Sequence, residues 1–286
     1  MNYEFKENKV IINNPEDFSL AHTFDCGQCF RFNLNENGNY TGIAFNKAVE
    51  ISEENGNIII ENLTEDEFYK NWIDFLDLSR NYKEIKDSLI HDEVIKKAIE
   101  FGKGIRILKQ DFFECVISFI ISQQNNIPKI KKAVEGFARL FGDEIEFKGS
   151  KYYSFPDVTK VKDITKEDLK ELKIGYRDEY IIDAIKKVSS GEISYEELVK
   201  LPYKEAKEKL LTVKGIGNKV ADCILLFSLL KFEAFPVDTW IKKAMAELYN
   251  LKEKEIKDYS KINFGDYSGF AQQYIFYYIR SSKYLK

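Results

Sequence analysis

The pattern of hydrophobic and polar positions changes period near residue 64. Before it, "KVIINN", "QCFRFN", "YTGIAFN", "AVEIS" and "NIIIEN" are short runs rich in β-branched and aromatic residues, and Asn37-Gly38 and Asn55-Gly56 sit between them as hairpin turns. That arrangement predicts an antiparallel sheet. From Thr64 onward, "TEDEFYKNWIDFL" opens with a threonine cap and an acidic first turn, and "NYKEIKDSLI" and "DEVIKKAIEFG" continue at helical spacing. The segment "DFFECVISFIISQQ", residues 111–124, is apolar nearly all round, which places it as a helix in the centre of a bundle with its polar C-terminal end toward a site or solvent. Further helices are predicted at about 128–141, 166–173, 177–189, 194–200, 203–212, 218–231, 238–249 and 266–281. The expected fold is α+β, a small N-terminal antiparallel β-sheet domain packed on a larger all-α domain. The expected division is 1–105, the sheet with the helices that follow it, and 106–286, the helical part.

Composition narrows the function classes. A chain of 286 residues is long enough for two domains and a sizeable core, and 44% hydrophobic with 14% aromatic content marks it as globular. The formal net charge of −4 excludes a general basic coat, so any nucleic-acid binding must use a local basic face. Only six of the 43 basic residues are arginine (Arg31, Arg80, Arg106, Arg139, Arg177, Arg280), and arginine is the planar, bidentate reader of bases and phosphates. No stretch approaches eighteen consecutive apolar residues, and MNYEFKENKV lacks the apolar core of a signal peptide, so a cytoplasmic protein with no membrane partner is expected. Cys26, Cys29, Cys115 and Cys223 are too few and scattered for a disulfide framework. Cys26-Gly27-Gln28-Cys29 has C-x-x-C spacing, but no second pair follows at zinc-ligand distance, and His22 and His91 lie apart. Nor is there a four-cysteine iron–sulfur cluster near the C-terminus; no metal and no cofactor are expected.

Candidate chemistry concentrates in "LLTVKGIGNKVADCILL", residues 210–226. Gly215 and Gly217 flank Ile216, which suits a turn with positive φ at two positions and an apolar plug between them. Such a hairpin presents unpaired backbone N–H groups at the start of the next helix, a ready phosphate site, although the same residues also serve a hairpin that only reverses the chain. Lys219 falls in the first turn of that helix, where the dipole disfavours a cation; a neutral amine is what a nucleophilic lysine needs. A surface lysine is the plainer reading. Lys219 and Cys223 are spaced i, i+4 and share one face. Downstream, in "AFPVDTW", Pro236 ends the preceding run and Asp238 is placed to cap the next helix; a carboxylate fixed in that way can also accept a proton from a neighbouring amine.

Together the glycine hairpin, "NKVADC" and "PVD" resemble the helix-hairpin-helix DNA glycosylase superfamily and, within it, the 8-oxoguanine DNA glycosylase family. The likeness extends in family order through "GQCFRF", "GIRILKQDFFECVISFIISQQNNI", "GYR" and "YSGFAQQYIFY", and so covers nearly the whole chain. It implies a monomeric enzyme acting on damaged double-stranded DNA. Its helix-hairpin-helix would span 203–231, and its lysine, Lys219, would attack C1′ of the damaged nucleoside, displace the base and form an iminium that leads to strand cleavage by β-elimination. The resemblance further implies that Asp238 stabilises the transition state and helps proton transfer, that Cys223 and Phe276 sandwich the extruded base, and that Gln272 bonds its Watson–Crick edge. Gly27 would accept the N7–H that 8-oxoguanine has and guanine lacks. Tyr176 would wedge beside the estranged base, Arg177 would contact it, and Asn126 belongs to the asparagine region that enters the gap.

Two positions depart from the family pattern. Lys129 stands where familiar animal members carry the arginine that reads the opposite cytosine, and Trp240 stands where they carry histidine. Rival readings are a glycosylase for alkylated bases, which would lack the lysine, one for oxidised pyrimidines, which would carry clustered cysteines, and a non-catalytic helix-hairpin-helix DNA-binding module in which Lys219 only touches phosphate.

Overall fold

The computed structural model describes residues 1–281. Six strands form one antiparallel sheet: β1 (Asn2–Lys6), β2 (Lys9–Asn13), β3 (Phe32–Leu34), β4 (Tyr40–Ala44), β5 (Lys47–Glu54) and β6 (Asn57–Glu61), in the order β1-β2-β6-β5-β4-β3. The two Asn-Gly dipeptides turn the chain as expected: Gly38 (φ 82°) between β3 and β4, and Asn55 (φ 51°) with Gly56 (φ 79°) between β5 and β6. Register puts Val10, Ile12, Ile51, Ile58 and Ile60 on the covered face, where they meet Phe68, Trp72 and Phe75 of the helical segment opened by Thr64. Each such side chain contributes about 1.5–3 kcal/mol by leaving water. Thr64 and Glu67 form a reciprocal capping box at that helical start.

Among the described residues, the helices of eight or more residues are α1 (Tyr82–Leu89), α2 (Glu93–Phe101), α3 (Phe112–Ile121), α4 (Ile127–Phe141), α5 (Arg177–Ser189), α6 (Tyr203–Leu210), α7 (Asn218–Phe227), α8 (Thr239–Tyr249), α9 (Ile256–Phe264) and α10 (Ser268–Ser281). The all-apolar segment is α3, central as predicted: nine of its ten residues are buried, and it packs against α4, α5 and α7. A second, two-stranded sheet, β7 (Glu144–Phe147) with β8 (Ser150–Tyr153), interrupts the helices.

Several expectations need correction. "QCFRFN" is not a strand along its length. Gln28 is fully buried with its carbonyl taken by Gln110 Nε2 at 2.7 Å, so the chain is captured before it can pair and β3 begins only at Phe32. The stretch 166–173 is turns with a 3₁₀ segment at Lys170–Leu172, ended by Lys173 in left-handed conformation. The predicted helix 218–231 stops at Phe227, because Leu230 takes positive φ (52°). Strand β1, helix α9 and the β7–β8 hairpin had no counterpart in the reading of the sequence.

Two buried side chains, Gln28 and Arg106, help bind the sheet domain to the helices. The Gln28 carboxamide donates to the carbonyls of Thr23 and Arg106 (2.9 and 2.7 Å) and accepts from Leu108 N (2.9 Å). The buried Arg106 guanidinium donates to the carbonyls of Asp77 and Glu16 (2.7 and 2.9 Å). A buried amide or guanidinium is tolerable only when bonded in this way, so these residues fix where the Cys26–Cys29 loop sits over the helical domain.

Candidate active site

The hairpin joining α6 to α7 turns on one left-handed residue, not two. Gly215 has φ 81°, and a Cβ there would lie 2.2 Å from the Tyr180 ring; Gly217 has φ −93° and ψ −179°, ordinary extended backbone. The expectation of positive φ at both glycines therefore holds only for Gly215. One left-handed residue suffices to reverse the chain, which then enters α7 extended. Gly217 is open instead: among the described residues nothing lies within 4 Å of where its Cβ would be, and as N-cap it supplies no side chain. The first N–H groups of α7 are thus free of a side-chain cap, as an anion site at a helix start requires. Ile216 is the buried plug.

Lys219 is half-buried in the first turn of α7. Its Nζ lies 3.3 Å from Ser122 Oγ, at the C-terminal end of α3, and 5.2 Å from the centre of the Phe119 ring. Phe119 in turn packs on Phe30, just beyond Gly27, and stacks on Phe227. Cys223, one turn on, is buried; burial pushes its thiol up to about 11 against the opposing pull of Lys219. Asp238 caps α8, with Oδ1 accepting from Ile241 N at 2.8 Å. Burial raises its carboxyl above the ordinary aspartate value, opposed by the Ile241 N–H and the Lys219 charge. The Lys219 charge therefore acts against the burial shift of both the thiol and the carboxyl.

The second group stands on α10. Gln272 and Gln273 are adjacent and buried, yet their amides differ. Gln273 Nε2 donates to the Cys26 carbonyl at 2.9 Å, tying α10 to the Gly27 loop, whereas Gln272 Oε1 is buried without a hydrogen-bond partner among the described residues. An open buried acceptor costs about 1–3 kcal/mol, a penalty that a ligand donor would relieve. Gly27 has φ 82°, and a Cβ there would fall 2.8 Å from Arg280 Nη1 and 3.1 Å from Phe276 Cε1. Arg280 lies over the Phe276 ring at 5.3 Å and donates to the Asp25 carbonyl. Helix α10 also packs on α8, the helix that Asp238 caps.

A third group is exposed. Tyr176, 48% exposed, precedes α5; its ring meets the Arg177 guanidinium (4.7 Å) and Tyr180 (5.5 Å). Arg177 is committed to main-chain carbonyls, donating from Nε to Gln123 at 3.0 Å and from Nη1 to Ile174 at 2.8 Å. Asn126 is the N-cap of α4, accepting from Lys129 N at 3.1 Å, with Pro128 in the first turn, where its missing N–H costs nothing. The tip of this loop is Gln124, in left-handed conformation (φ 47°), whose Oε1 accepts from Tyr176 OH at 3.4 Å. Sequence reasoning singled out Asn126 and missed Gln124, Ser122, Phe119 and the Arg280 contact. The first two lie in the "SQQNNI" segment, but nothing in their identities announces a left-handed tip or a partner for Lys219.

Residues 10–116 match the N-terminal domain of 8-oxoguanine DNA glycosylases, and residues 117–264 match the HhH-GPD superfamily of base excision DNA repair proteins. The chain belongs to the 8-oxoguanine DNA glycosylase family of that superfamily. The crystal structure of the 8-oxoguanine glycosylase/lyase of Clostridium acetobutylicum in its apo form is 47% identical, covering 97% of this chain and 99% of that one, with a TM-score of 0.94. The same Clostridium protein bound to double-stranded DNA with cytosine opposite 8-oxoguanine gives 46% identity, 98% coverage of each chain and a TM-score of 0.95. The N-glycosylase/DNA lyase of Arabidopsis thaliana is 28% identical over 280 residues, 91% of this chain and 77% of that protein. Both departures from the family pattern are solvent-facing: Lys129 is exposed on the first turn of α4, and Trp240 is 40% exposed on the first turn of α8.

Proposed function

We propose that this protein excises 8-oxoguanine from duplex DNA as a bifunctional glycosylase/lyase. The observation that carries the reading is the placing of Lys219: an amine in the first turn of an uncapped helix, 3.3 Å from Ser122 Oγ and one turn before a buried thiol on the same face. In the proposed reaction the Lys219 amine attacks C1′ and the C1′–N9 bond breaks, its electron pair leaving with the base. The sugar ring then opens to a Schiff base on Nζ. Loss of a C2′ proton expels the 3′ phosphate by β-elimination, cutting the strand. Raised by burial, Asp238 is a better proton acceptor than an exposed aspartate and its charge opposes the positive charge developing on the sugar.

The base would sit on Phe276 with Cys223 on its other face, its amide edge against the open Gln272 Oε1. The Gly27 carbonyl would meet N7–H of 8-oxoguanine; guanine presents an acceptor there, leaving two acceptors opposed at a cost of about 1–3 kcal/mol. Entry requires the nucleotide to leave the duplex, with Tyr176 and the 122–129 loop filling the gap. Release of free base from an 8-oxoguanine:cytosine duplex, with none from the guanine:cytosine control, is the expected result. Equal inertness on both duplexes with tight binding would favour a non-catalytic DNA-binding module.

A further inference from the structure

The Asp222 side chain is fully buried on α7, three residues beyond Lys219. A buried carboxylate is costly unless paired and hydrogen-bonded. Oδ1 accepts from Tyr203 OH at 2.6 Å and pairs with Lys207 Nζ at 2.9 Å, both from α6; Oδ2 pairs with Lys257 Nζ from α9. Tyr203 and Lys207 therefore clamp the two helices of the hairpin to each other. Lys257 does something they do not: its Nζ also donates to the Phe235 carbonyl at 2.7 Å, three residues before Asp238. A cavity of about 430 Å³ is lined by Lys207, Lys219, Asp222, Val237 and Lys257, so this bridge shares one space with the amine and with the residue preceding Asp238. Lys242 and Glu253, paired at 2.6 Å, form part of its wall.

We propose that Lys257 is a positioning residue for base excision, fixing the helix of Lys219 against the loop of Asp238 through its joint hold on Asp222 and the Phe235 carbonyl. The proposal rests on the reading of Lys219 and Asp238 given above. Displacing reacting groups by about 1 Å costs on the order of 10²-fold in rate, so a bridge that sets this spacing acts on the chemical step more than on DNA affinity.

The test compares Lys257→Met, Lys257→Arg and Lys207→Met with the full-length wild type. Single-turnover base release from an 8-oxoguanine:cytosine duplex, the Kd for a duplex holding a non-cleavable abasic analogue, and Tm are measured for each. Removing Lys257 leaves Asp222 with Lys207 and Tyr203, so the fold keeps its buried charge paired. Lys257→Met is expected to slow base release by roughly tenfold or more with Kd little changed, and Lys257→Arg, which keeps both donors, to recover most of the rate. Lys207→Met removes a cation from the same carboxylate but spares the Phe235 contact, and is expected to slow release far less. Equal slowing by the two methionine variants, or a Lys257→Met loss that tracks Kd or Tm, would overturn the proposal. A wild type that releases no base would sink the reading of Lys219 and Asp238 itself, whereas an active wild type with equal variants would sink only the bridge.

Discussion

The proposed base pocket and the 122–129 loop with Tyr176 and Arg177 are built in contrary ways. In the proposed base pocket one buried polar group is open: Gln272 Oε1 has no partner among the described residues, Gly27 is wedged against Phe276 and Arg280, and Asp238 is lifted by burial. On the loop, groups are exposed or half-buried and already engaged: Arg177 on three carbonyls, Asn126 on its own helix, Tyr176 on Gln124. A buried unsatisfied group discriminates strongly because a wrong ligand leaves it unpaired, whereas an exposed contact exchanges with water at little cost. The contrast implies a protein stringent about the damaged base and lenient about its partner.

Asp238→Asn is the substitution expected to act most strongly. It removes the proposed proton acceptor and should slow base release by about 10²-fold or more. The stability sign is opposite. An acid whose folded pKa exceeds its unfolded value favours folding when protonated and opposes it when ionised, and asparagine caps helices as well as aspartate does. Thermal melting should therefore show Tm unchanged or raised at neutral pH. The pH–rate profile follows from the same shift: wild-type activity is lost as pH falls through a pKa above that of an exposed aspartate, and the asparagine variant loses this acid limb. An acid limb unchanged in Asp238→Asn would break the assignment.

Gly27→Ala comes next. The added methyl meets Arg280 and Phe276 in a left-handed backbone, and strain of about 1–2 kcal/mol predicts a roughly 5- to 30-fold loss in 8-oxoguanine release. Binding to an undamaged duplex should be spared, and a parallel loss there would place Gly27 outside the base pocket. The smallest effect belongs to the loop. Lys129→Arg, which adds a planar bidentate donor, should raise preference for cytosine over adenine opposite the lesion by up to about tenfold. Identical cytosine-to-adenine ratios for variant and wild type would erase the contrast between the two sides.

Local chemistry was legible wherever it acted alone. Asn-Gly turns, the Thr64 box, the all-apolar α3 and the Asp238 cap each depend on residues near one another in sequence. What escaped the sequence depends on partners far along the chain. Capture of the Gln28 carbonyl by Gln110 shortens β3, and Lys219 finds Ser122 across 97 residues. Gly217 shows a subtler limit: glycine at a turn suggests positive φ, but here an extended glycine leaves the start of α7 unobstructed. Strand β1 does alternate polar and apolar residues, but over only five positions with none fully buried, and α9 is of mixed polarity, so neither stands out from the sequence.

The central claim is that Lys219 becomes covalently joined to the sugar it strips of its base. Borohydride reduction of the protein on a duplex with one 8-oxoguanine opposite cytosine, followed by denaturing gel electrophoresis, tests it directly. A protein–DNA adduct with wild type and none with Lys219→Ala, whose residual base release should be slower by about 10³-fold or more, is the predicted result. An adduct that persists in Lys219→Ala, or base release by wild type with no adduct at any borohydride concentration, would contradict it.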